Sequence, residues 1–174
     1  MNNKVIVTYF EPFGGRAFNA SMGTALGLSN EYIKIGLPVS WNEIDARIAE
    51  ILSLKPDFLF LIGEAGMIDE PRLELEAHNI SKGKDNYGIE KFEEPIIKDG
   101  IDTLYTPLKK DERFVLSADA GKYLCNCSYY LALSKANGTK VIFIHVPAYN
   151  EEELEKKNHC IEVASKMIDN YIKD

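Results

Sequence analysis

FLFLIG (Phe58–Gly63) decides how this chain folds. Pro56-Asp57 opens the run and Gly63-Glu64-Ala65-Gly66 closes it, so an unbroken apolar stretch is bracketed by turn signals. A strand apolar on both faces belongs inside a parallel sheet covered on both sides. VIFIH (Val141–His145) is a second such run, and KVIVTYF (Lys4–Phe10) is a third strand pattern that stops at Glu11-Pro12-Phe13-Gly14-Gly15. Tyr32–Ser40 alternates, Phe114–Ser117 is a short strand, and Arg72–Asn79 (RLELEAHN) alternates strictly, as an edge strand with a solvated polar face would. Between them, Trp41–Leu54 carries Ile44, Ile48, Ile51 and Leu52 at helical spacing. Gly121–Ala136 reads as a second helix, and Glu151–Ile172 as a third with Leu154, Ile161, Ala164, Ile168 and Tyr171 facing inward. Strands alternating with helices predict an α/β fold: one domain over residues 1–174, with a central, twisted, mostly parallel sheet and helices on both faces.

Composition agrees. At 174 residues the chain can bury a substantial core, and 45% hydrophobic with 27% charged residues is an ordinary globular balance. A net charge of -7 argues against nucleic acid or an anionic membrane as partner. No stretch approaches the roughly 18 apolar residues of a membrane span, and the N-terminus lacks the pattern of a secretory signal. Three cysteines, an odd number, point to free thiols and a cytoplasmic location.

Ligands of open α/β sheets bind outside the carboxyl ends of the strands, and the unusual residues fall there. Cys125 follows the Ala120-Gly121 break, in the first turn of the predicted helix, where unpaired N–H groups and the helix dipole depress a thiol pKa. Taken alone, a buried, inert cysteine is the commoner explanation. Cys127 projects about 200° around the helix from Cys125, and a Cys-x-Cys without further ligands is a poor metal site. Cys160 reads as filler in the last helix. His145 ends VIFIH where a general base would be presented, and Glu74 or Glu76 of the alternating strand could orient it. Phe10 and Phe13 flank a Gly-rich turn and could clamp a flat ring.

These blocks resemble pyroglutamyl peptidase I, the pyrrolidone-carboxylate peptidases. The matching segments are VTYFEPFGG (Val7–Gly15), LPVS (Leu37–Ser40), KPD (Lys55–Asp57), GEAG (Gly63–Gly66) and LELEAHN (Leu73–Asn79). DNYG (Asp85–Gly88), EEPI (Glu93–Ile96), SADAGKYLCN (Ser117–Asn126) and FIHVP (Phe143–Pro147) complete the set, in the family's order. The resemblance implies a thiol exopeptidase that removes N-terminal pyroglutamate from peptides without metal or cofactor. Cys125 would be the nucleophile, His145 the base and Glu74 its orienting acid, with Phe10 and Phe13 against the pyroglutamyl ring. It leaves open whether copies associate into a homo-oligomer. The chain departs from the family at Tyr9 (usually Gly, beside the pocket), at Glu64 (usually Gln, near the lactam) and at Ala20 (usually Pro). Met67-Ile68 replaces the usual Gly-Arg, so the arginine near the oxyanion is missing. Arg72 would substitute only if the loop folds differently. The chain is also shorter than typical members. Competing readings are a thiol amidohydrolase for another small N-terminal acyl group, and an impaired homologue that binds a small acid or peptide.

Overall fold

The structure, a computed structural model, describes residues 3–173. The chain runs through β1 (Val5–Phe10), α1 (Ala20–Gly27), β2 (Ile33–Leu37), α2 (Ile44–Ser53), β3 (Phe58–Ala65), β4 (Arg72–Glu74) and β5 (Glu76–His78). It continues through β6 (Ser81–Lys84), β7 (Glu90–Glu94), β8 (Thr103–Tyr105), β9 (Val115–Ser117), α3 (Leu124–Lys135), β10 (Lys140–Pro147) and α4 (Leu154–Lys173). Six strands form the main sheet in the order β2-β1-β3-β10-β4-β9. β2, β1, β3 and β10 are parallel, whereas β4 is antiparallel to β10 and parallel to β9. β5 pairs with β8, and β6 with β7, in two small antiparallel ribbons.

The apolar run at Phe58 is explained by its place in the sheet. Leu59 and Leu61 pack into the core under α2 and α3, with Ile44, Ile48 and Tyr129. Phe58, Phe60 and Ile62 pack on the opposite face, against Ala25 of α1 and Ala164, Met167 and Ile168 of α4. Each such side chain contributes on the order of 1.5–3 kcal/mol by leaving water, and β3 makes these contacts on both faces. Because the four parallel strands run one way, Phe10, Leu37, Ala65 and Pro147 end along a single rim.

Strands β6, β7 and β8 were not read from the sequence, and Leu154 is exposed rather than inward-facing. Two further features differ from the sequence reading. The alternating stretch Arg72–Asn79 is two strands rather than one, and neither is a solvated edge of the main sheet. At Leu75 the N–H donates to Ser117 O (2.7 Å) while the carbonyl accepts from Thr106 N (3.0 Å), so the chain leaves one sheet and joins another. β4 is thereby interior, between β10 and β9, and Glu74 is fully buried. The second feature is α1, which no periodic pattern announces. Its sequence ASMGTALG is built of small residues because its neighbours come very close. A Cβ at Gly23 would lie 2.7 Å from the Phe18 ring and from Tyr149 Oη, and one at Gly27 would lie 2.3 Å from Ile161.

Candidate active site

Cys125 is the second residue of α3 and faces the rim of the sheet. Its sulfur lies over Gly63 of β3: a Cβ at Gly63 would stand 2.7 Å from Cys125 Sγ and 2.7 Å from the Phe143 ring edge. Only glycine admits the thiol this close to the strand. The β3–β10 register sets His145 directly beside Gly63, and Phe143 packs against the imidazole with ring centroids 4.7 Å apart. Sulfur and imidazole therefore rise from neighbouring positions on the same face of the sheet. Asn126 fixes the helix here, with its side-chain amide bonded to the backbone of His78 and Ile80 at 2.8–2.9 Å.

Of the two candidate acids, the fold brings Glu74 to His145. β4 lies antiparallel to β10, and His145 Nδ1 meets Glu74 Oε1 at 2.7 Å, with both side chains buried. A carboxylate accepts only, so Nδ1 carries the proton of this bond and Nε2 is the ring nitrogen left for chemistry. Glu76 follows the chain into the small ribbon, where it lies 3.4 Å from His78. His78 contacts Thr103 Oγ1 and Ala118 O, and His159 pairs with exposed Glu70, so neither reaches the rim. Cys127 and Cys160 are buried in the two hydrophobic cores. Arg72, in register with His145, donates to Glu74 Oε1 (2.8 Å) and to Asp119 O (3.1 Å). Met67, in the arginine-deficient turn, is 98% exposed.

A narrow pocket of about 30 Å³ opens beside the sulfur, lined by Phe10, Phe13, Asn19, Val39, Glu64, Tyr123, Leu124 and Cys125. Tyr123 is wedged between Phe13 and Trp41, at centroid distances of 6.2 and 5.5 Å, and its hydroxyl donates to Lys84 O. Glu64 forms part of the far wall. Its carboxylate accepts from Arg16 (2.5 Å) and from Ala20 N at the start of α1 (2.7 Å), while the Arg16 guanidinium stacks 4.9 Å over the Phe13 ring. Tyr9 does not belong to this pocket. Alternation along β1 sends it to the opposite face of the sheet, over Gly36, so its bulk leaves the pocket unchanged.

Electrostatics at the sulfur run against the expectation of a depressed thiol. Deep placement, then the nearby Glu74 and Glu64 carboxylates, push Cys125 up to about 12. Burial and the two carboxylates thus favour the neutral thiol at rest. One feature still favours an anion here: Tyr123, the N-cap of α3, makes no side-chain hydrogen bond to the first turn, leaving those N–H groups uncapped.

Tyr123, Asn19 and Arg16 escaped the sequence reading as site residues, and Gly63 was read there only as the turn that ends its strand. Gly63 carried a usable signal, being the small residue that ends an otherwise bulky strand. The other three act through contacts made only by folding. Among the described residues, no group of three His, Cys, Asp or Glu side chains is arranged to hold a metal ion, and no helix is long and apolar enough to cross a membrane.

Known proteins resemble this chain in sequence and in fold. Residues 3–173 match the family model described as pyroglutamyl peptidase. The chain is 34% identical to the pyrrolidone-carboxylate peptidase of Thermococcus kodakarensis, over 95% of each chain, and 31% identical to that of Thermosipho africanus, over 97% of this chain and 91% of the other. The crystal structure of pyrrolidone carboxyl peptidase from Fervidobacterium islandicum superposes with a TM-score of 0.82 at 30% identity, covering 98% of this chain and 99% of that one. The Thermus thermophilus structure gives 0.81 at 26%, covering 94% and 96%. The chain belongs to the pyroglutamyl peptidase family.

Proposed function

We propose that this protein is a cysteine exopeptidase that releases N-terminal pyroglutamate from peptides, with Cys125 as nucleophile, His145 as general base and acid, and Glu74 as the group that orients the imidazole. The observation that carries this reading is the convergence at Gly63, where the sulfur packs over the glycine and its strand neighbour His145 is held by Glu74 at 2.7 Å. The pyroglutamyl ring enters between Phe10 and Phe13. The Glu64 carboxylate retains lone pairs to accept the lactam N–H.

Because the resting thiol is protonated, attack and proton transfer are coupled. Sγ bonds to the carbonyl carbon as its proton passes to His145 Nε2, and the new oxyanion faces the uncapped N–H groups at the start of α3. His145 then protonates the leaving amine and the C–N bond breaks, giving a thioester. Water, deprotonated by the same nitrogen, attacks the thioester, and pyroglutamate leaves as the thiol regains its proton.

The test is turnover of a pyroglutamyl substrate with a reporter leaving group. Cys125→Ser is expected to lower kcat/KM by at least about 1000-fold. Iodoacetamide should label Cys125 well ahead of the buried Cys127 and Cys160. Labelling without turnover by the wild type would redirect the assignment to another small acyl group. Neither labelling nor turnover would leave a binding protein.

A further inference from the structure

We propose that Arg72 is a positioning residue for this reaction: one guanidinium that fixes both the carboxylate behind His145 and the backbone leading into the nucleophile helix. The inference rests on the roles assigned above to Cys125, His145 and Glu74. Glu74 is fully buried, and one of its oxygens does all the hydrogen bonding. Oε1 accepts from His145 Nδ1 (2.7 Å) and from Arg72 Nε (2.8 Å), while Oε2 has no hydrogen-bond partner among the described residues. A buried carboxylate remains ionised and aimed only when a donor of opposite charge offsets its desolvation. Arg72 supplies that donor from the same strand, two residues away, at the position paired with His145.

The second arm of the fork acts elsewhere. Arg72 Nη2 donates to Asp119 O (3.1 Å), in the turn between β9 and α3. That turn is closed by Gly121 N on Asp119 Oδ1 (2.8 Å) and held on its other side by His78 at Ala118 O (3.1 Å). From Asp119 the chain needs only six residues to reach the sulfur. Glu74 lies on β4 and Cys125 on α3, so a side chain that grips both segments sets the base against the nucleophile. A planar guanidinium can do this because its donors diverge at fixed angles, whereas an ammonium is a single point. The Arg72 side chain is 25% exposed and does not line the pocket, so it acts through Glu74 and the turn rather than on substrate.

Kinetics of Arg72→Gln and Arg72→Lys test this, with the melting temperature measured alongside. In Arg72→Gln, kcat should fall on the order of 10- to 100-fold while KM stays within about threefold, because misaligned reacting groups slow the chemistry without altering the ring pocket. Arg72→Lys keeps the charge at Glu74 but loses the fork, and should recover part of that kcat. A Gln variant with wild-type kcat, a loss expressed in KM, or a Lys variant no faster than Gln would overturn the inference. If the wild type itself shows no Cys125-dependent turnover, the underlying function fails instead, so the two failures are distinguishable.

Discussion

Two helices begin at the rim of this sheet, within one pocket, and their N-termini are treated oppositely. At α1 the first-turn groups are closed off: Asn19 Oδ1 accepts from Ser21 N (2.9 Å) and Oγ (2.6 Å), and Glu64 Oε2 accepts from Ala20 N (2.7 Å). At α3 the N-cap is Tyr123, which contributes an aromatic wall and no hydrogen bond to the turn. The difference follows from what else holds each helix. α1 has eight residues and a face of small side chains, so its termini matter to its stability. α3 is anchored along its length by Asn126 on the β5–β6 backbone, Tyr129 on Glu74 O and Tyr130 on Ile101 O. A helix secured by its side chains can leave its positive end open, and α3 is the one that carries the thiol.

This contrast can be broken most severely at Gly63. In Gly63→Ala the new methyl must displace both the sulfur and the Phe143 ring, each 2.7 Å from where it would stand. The expected loss in kcat/KM of the pyroglutamyl substrate is on the order of 100-fold, from a misplacement of a fraction of an ångström to an ångström at the nucleophile. Activity within about threefold of wild type would show that the sulfur does not work from above this strand. A smaller effect is expected on the α1 side. Glu64→Ala strips the carboxylate from Ala20 N and from Arg16, at a cost of about 1–2 kcal/mol, read as a melting temperature lower by roughly 2–8 °C. Steady-state kinetics should show KM rising more than kcat falls, since Glu64 forms pocket wall rather than reacting group. A drop confined to kcat would move Glu64 to the α3 side of the comparison.

The main sheet was legible because its strands sit in a simple environment. A residue run buried on both faces must be apolar throughout, and Phe58–Gly63 and Val141–Ile144 satisfy that requirement without help from the rest of the chain. Cys125 and His145 were legible for a related reason, as chemistry-bearing residues where an apolar element meets a turn. What could not be read was any property set by a neighbour. α1 lacks periodicity because Ile161 and Tyr149 approach too closely for large side chains. The strict alternation of Arg72–Asn79 hid a change of sheet at Leu75, since both halves keep a period of two. The upward pull on the Cys125 thiol was not legible because the helix terminus is visible in sequence, whereas its burial and the Glu74 and Glu64 carboxylates beside it exist only in the fold.

The finest test of the contrast is Asn19→Ala. Asn19 is buried, caps α1 and lines the pocket, so its loss touches the closed terminus and leaves the open one alone. Removing an Asn cap costs about 1 kcal/mol, which for a chain of this size lowers the melting temperature by roughly 2–4 °C. Because Asn19 also meets the ring-binding space, KM should rise a few-fold. kcat should hold within about twofold, as Sγ, the imidazole and the α3 N–H groups are untouched. Thermal melting and steady-state kinetics on the same preparation decide the matter. Should kcat fall with stability unchanged, the α1 terminus would be part of the reacting apparatus, and the division of labour between the two helix starts would not hold.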